Sequence, residues 1–122
     1  MAVNPNGRAV LKSCHYIPPS EVTNEEYPLT LSTGRSTFQF HTRSKTGRAQ
    51  PLQDAQPEPT VTISKEDAEE LDIKDGEEVV VTSRRGVVQM KAYVGGIAKG
   101  QTFIPMHYGK RSLLLYTCDF RD

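Results

Sequence analysis

The chain has 122 residues, enough for one domain with a single core, and its 15 basic and 15 acidic side chains cancel to zero net charge. A neutral chain has no global field to draw it to nucleic acid or to an anionic membrane, so neither is expected as a partner. No run is long and apolar enough for a membrane span, and the start lacks the apolar centre of a signal peptide, so the expected compartment is the cytoplasm.

Residues 1–26 carry little periodic pattern. Ala9-Val10-Leu11 is a short apolar run that reads as an edge strand, and Ile17-Pro18-Pro19 forces extended backbone. The segment is expected to be an extended arm partly packed on a domain formed by residues 27–122. Within it Cys14-His15 is an adjacent pair without the further ligands of a zinc site, and Cys118 lies far off in sequence.

Leu29 and Leu31 alternate with Thr30 and Ser32, the period-2 signature of a half-buried strand. The strand runs into Thr33-Gly34-Arg35. A second alternation, Phe38 and Phe40, is expected to be strand again. From His41 to Arg48 nearly every side chain is a hydrogen-bond donor, and no Asp or Glu occurs from Tyr27 to Gln53. An acid-free, donor-rich loop beside a glycine suits a multiply charged anion such as a diphosphate. A solvated basic surface loop fits the same spacing, and both readings stand at this point. The loop from Thr42 to Pro59 has few apolar residues, so it is expected to be mobile until a partner orders it.

Thr60 to Ile63 reads as a short strand. Ser64-Lys65-Glu66-Asp67 then fits a capping box, and Ala68 with Leu71 makes one face of a helix of about two turns. Eight acids fall between Glu66 and Glu78, against Arg35, Arg43, Lys45 and Arg48 in the central stretch. Capping and solvation explain the acids without a catalytic pair. Val79 to Val81, a Ser83-Arg84-Arg85-Gly86 turn and Val87 to Val94 read as a hairpin. Thr102-Phe103-Ile104 starts another strand that runs into Pro105-Met106-His107-Tyr108, and Ser112 to Tyr116 reads as a last one. Many short strands and one or two short helices argue an all-β barrel. No nucleophile, base and orienting group can be assembled in line from His15, His41 and His107, so the chain alone is expected not to be catalytic.

Several blocks together resemble the C-terminal domain of the molybdopterin oxidoreductases of the dimethyl-sulfoxide-reductase family, which includes formate dehydrogenases and nitrate reductases. They are Y-P-L-T-L-S-T-G-R at Tyr27, H-T-R-S-K-T-G-R at His41, V-T-I-S-K-E-D-A-E-E-L-D-I-K-D-G at Val61, V-V-V-T-S-R-R-G-V-V at Val79 and G-Q-T-F-I-P-M-H-Y at Gly100. With the lead-ins G-R-A-V-L and Y-I-P-P-S-E they cover roughly residues 7–109 in the family's order. The resemblance implies a double-psi β-barrel closing over a bis-molybdopterin guanine dinucleotide that carries molybdenum or tungsten. It implies cofactor contacts from Thr33, Gly34, Arg35, Ser36, Gln39, His41, Thr46, Met106 and His107, with other domains or subunits of a parent oxidoreductase as partners. Lys110 to Leu114 departs from the family's Asn-x-Leu-Thr segment, so that asparagine contact does not carry over. A stand-alone barrel acting as a protein-interaction adaptor is the competing expectation.

Overall fold

A computed structural model describes residues 7, 9, 11–111 and 117–121, with backbone alone for 109–111 and 117–121. Six strands close into a barrel: β1 (Leu29–Gly34), β2 (Thr60–Ile63), β3 (Glu78–Ser83), β4 (Gly86–Val94), β5 (Gln101–Pro105) and β6 (Thr117–Arg121). Around the wall the order is β1-β5-β2-β4-β3-β6, and β6 closes on β1. β1 pairs parallel with β5 and β2 pairs parallel with β4, while the remaining neighbours are antiparallel. Two short α-helices lie between strands: α1 (Gln50–Ala55) and α2 (Lys65–Glu70).

The alternation in the sequence becomes inside and outside. Leu29, Leu31, Val61, Ile63, Val79, Val81, Val88, Met90, Ala92 and Ile104 fill the barrel, and their strand neighbours face out. Full burial of one such aliphatic side chain is worth about 1.5–3 kcal/mol, so the wall is held mainly from within. Ser83 makes the β3–β4 turn: its Oγ accepts from Arg85 N at 3.0 Å and donates to the Gly86 carbonyl at 3.3 Å.

Ser64 caps α2 as expected. Its Oγ accepts from Asp67 N at 2.9 Å and donates to Asp67 Oδ2 at 2.7 Å. The same carboxylate oxygen accepts from Gly100 N at 2.7 Å, which ties the helix start to the segment leading into β5. Asp67 is therefore buried while most of the acids near it are solvated. Leu71, expected on the apolar face, is exposed at the helix end; Ala68 is buried and Ile73 packs on the core in its place. The helix stops after six residues, so Leu71 never returns to the inward face.

Three further expectations change. Phe38 and Phe40 are not in a strand: residues 36–45 form turns, and both rings are exposed. The 49–59 stretch is not wholly irregular, since α1 forms there with Pro51 in its first turn, where a missing N–H leaves no bond unmade. Ala9 and Leu11 are outside any strand, and Val10 lies outside the described residues. The last strand runs over Thr117–Arg121, and residues 112–116 lie outside those described. Of the segment before the barrel, Leu11, Tyr16, Ile17 and Val22 are exposed, while Glu21 meets Arg85 of the β3–β4 turn at 2.5 Å.

Candidate anion-binding rim

The parallel pairing of β1 with β5 places Gly34 beside Pro105, so the Thr33-Gly34-Arg35 turn and the Pro105-Met106-His107 turn leave the same rim together. Packing leaves little room for a side chain at Gly34. A Cβ on it would meet Phe103 Cε2 at 3.0 Å, and its φ is not positive. The sequence suggests a turn or a close approach to backbone; what approaches is an aromatic ring from the neighbouring strand. Gly34→Ala should cost about 1–3 kcal/mol, because the Phe103 ring must yield. Urea unfolding measures it, and the loss should shrink in the Gly34→Ala/Phe103→Leu double variant.

His107 is buried at 2 % exposure in the short 3-10 turn Met106–Arg111. Its Nε2 accepts from the Ser36 backbone N–H at 2.8 Å. Its Nδ1 lies 2.7 Å from the His41 carbonyl oxygen. An amide can only donate and a carbonyl can only accept, so the proton sits on Nδ1 and the ring is neutral. Nothing in line joins His41 to His107; the barrel does.

A second buried group, Gln39, organises the loop that follows. Its Oε1 accepts from Thr46 Oγ1 at 2.8 Å and from Arg43 Nε at 3.2 Å, and its Nε2 reaches the carbonyls of Leu52 and Gln56 at 3.4 Å each. Thr46 Oγ1 in turn accepts from Phe40 N at 3.2 Å. Arg43 also donates to Gln53 Oε1 and lies over the Tyr108 ring, 4.4 Å from its centroid. The Tyr108 hydroxyl donates to the Gln56 carbonyl at 3.0 Å. Burial raises the Tyr108 phenol above its ordinary 10.0, and the charge of Arg43 pulls the other way. His41 and Arg43 adopt left-handed backbone, with φ of 44° and 65°. For residues other than glycine such angles cost of order 1–3 kcal/mol and persist where the surroundings hold them.

Beside Gly34, the other eight expected contact residues divide. Ser36, Gln39, Thr46 and His107 spend polar groups on one another and on the loop backbone, and the Ser36 hydroxyl donates to Gln56 Oε1. Thr33, Arg35 and the His41 ring are exposed, as is Met106. Among the described residues Arg35, Lys45 and Arg48 make no ion pair. Arg35 opens on a trough of about 220 Å³ walled by Ser36, Thr37, Phe38, Gln56, Thr60, Thr62, Phe103 and Pro105, with no acid in its wall. Arg43, Tyr108 and Gln56 escaped the sequence reading as parts of one frame, since only the fold brings them to the rim. Among the described residues no group of three His, Cys, Asp or Glu is placed to hold a metal ion.

The rim of this closed barrel carries an acid-free trough lined by an arginine that makes no ion pair among the described residues, the chemistry an anion calls for. Comparison with known proteins places it further: the family model "Molydopterin dinucleotide binding domain" matches residues 29–119, and the chain belongs to that family. An F420-dependent formate dehydrogenase 1 subunit alpha of Methanococcus maripaludis is 35% identical over 121 residues, covering 98% of this chain and 18% of that protein. A nitrate reductase of Symbiobacterium thermophilum is 42% identical over 106 residues, covering 84% of this chain and 14% of that protein. The solved acetylene hydratase from Pelobacter acetylenicus superposes with a TM-score of 0.57 at 29% identity, over 66% of this chain and 11% of that one. The chain spans less than a fifth of the length of these relatives. Among the described residues no helix is long and apolar enough to cross a membrane.

Proposed function

We propose that this chain is the cofactor-capping domain of a molybdenum or tungsten oxidoreductase of formate dehydrogenase or nitrate reductase type, contacting bis-molybdopterin guanine dinucleotide through its Arg35 rim. The observation that carries the reading is the Arg35 trough: an exposed guanidinium with no ion pair among the described residues, no carboxylate in the wall, and a hydrogen-bonded loop beside it. A planar guanidinium fork matches a diphosphate or the edge of a pterin, and an acid-free wall removes the repulsion such an anion would meet. The residues present therefore fit the group. Redox chemistry, when the cofactor is bound, belongs to its metal and pterin; this chain supplies binding and orientation, and on its own is not catalytic. Two parallel strand pairs, each joined by a long crossover, support a double-psi form of the barrel. The segment of residues 1–26 acts as an arm, held to the barrel of residues 27–122 through Glu21 and Arg85 and reaching other domains or subunits of the parent with Leu11, Tyr16 and Ile17.

The test is a titration of the chain with inorganic pyrophosphate, followed by backbone amide shifts. Weak binding, about millimolar, is expected from one unpaired arginine with neighbouring donors. The shifts should centre on Arg35 to Thr37 and leave the β3–β4 hairpin unmoved. No saturation, or a response centred on the hairpin, overturns the reading and leaves the adaptor alternative.

A further inference from the structure

We propose that the His107-Tyr108 pair is a latch that sets the 36–56 loop in its ligand-binding shape before any ligand arrives. Both are then positioning residues, and His107 is removed from the set that touches the cofactor. The inference rests on the proposed function only for what the loop binds.

Four contacts carry it, all from two consecutive residues. His107 holds Ser36 N and the His41 carbonyl, one through each ring nitrogen. Tyr108 holds the Gln56 carbonyl with its hydroxyl and Arg43 with its ring face. The anchored points span the loop from its first residue to the end of α1. Gln39 then fills the middle, so the loop has a buried polar centre of its own. A free loop with these left-handed angles at His41 and Arg43 would relax. The latch opposes that relaxation, and with it the penalty that a ligand meets when only part of the population has the binding shape. Arg43 is turned onto Tyr108 by the same device, which leaves Arg35 as the cation lining the trough. Ordering of this loop therefore belongs to the domain itself and does not wait for a partner.

The neutral ring gives a signature that needs no variant. In ¹⁵N-resolved spectra of the whole chain, His107 should show a protonated Nδ1 and a bare Nε2, with slow exchange at the Ser36 amide. His107→Ala should speed Ser36 exchange well beyond the global change and weaken pyrophosphate binding about 5- to 20-fold. His107→Gln, which returns an acceptor for Ser36 N, should recover part of both. Val79→Ala, a core variant in the barrel wall, should lower stability without either effect. Tyr108→Phe is the mild variant that keeps the ring over Arg43; it should loosen Gln56 alone, and it serves if His107→Ala does not fold. A ring with the proton on Nε2, or Ser36 exchange that merely follows global stability, overturns the latch. If wild-type chain fails to bind pyrophosphate, the proposed function falls, and the latch is still decided by the ring spectrum and Ser36 exchange.

Discussion

Asp67→Ala should lower the free energy of unfolding by about 2–4 kcal/mol, among the largest losses open to a single polar side chain here. One buried oxygen, Oδ2, receives the Ser64 hydroxyl and the Gly100 amide, both at 2.7 Å. Alanine would leave the buried Ser64 hydroxyl and the partly buried Gly100 amide without their shared acceptor. The Gly100 carbonyl in turn accepts from Thr30 N at 3.0 Å, so the damage reaches the β1–β5 seam that carries the rim. Urea denaturation followed by circular dichroism measures the loss. Asp67→Asn, which retains an acceptor, should fall between wild type and alanine. A loss under about 0.5 kcal/mol for alanine would mean that the carboxylate is not a structural tie.

Arg35→Ala should have the opposite profile, sparing the fold and weakening the anion. A charge-assisted hydrogen bond is worth about 1.5–3 kcal/mol, which is roughly a 10- to 100-fold change in affinity. The side chain is exposed and makes no ion pair among the described residues, so unfolding should move by no more than about 0.5 kcal/mol. Pyrophosphate titration and urea unfolding on the same sample separate the two effects. A variant that unfolds while its affinity holds would make Arg35 structural and the basic loop a plain surface.

The strands were legible because inside and outside alternate in the sequence itself: Leu29 and Leu31, Val79 and Val81, Met90 and Ala92 need no tertiary knowledge to be placed. Ser64 was legible because a capping box is complete within four residues. The rim was only half legible. Polarity marked the loop from Arg35 to Arg48 as a donor set, but which donors stay free depends on where β5 delivers His107 and Tyr108. Gln39 reads as one more polar side chain, and only burial turns it into the loop's centre. Phe38 and Phe40 alternate like a strand without a neighbour to pair with, so pattern alone misplaced them. Gly34 stands out in the sequence as a point of close approach, but the ring that approaches, Phe103, lies in another strand and only the fold supplies it.

The order of strands around the wall bears on how the chain is made. Leu31 stands beside Thr102, so β1 must wait for 71 further residues before its parallel neighbour exists. At about 5–20 residues per second, that interval is roughly 4–14 s of synthesis. Throughout it β1 has neither edge covered, because its other partner, β6, comes later still. The β3–β4 hairpin, by contrast, can zip as soon as it is made. Leu29 and Leu31 thus wait longer on the nascent chain for their strand neighbours than the other described residues of the barrel core. Barrel closure is then a late, non-local event, and the binding rim, built on the same β1–β5 seam, is completed with it.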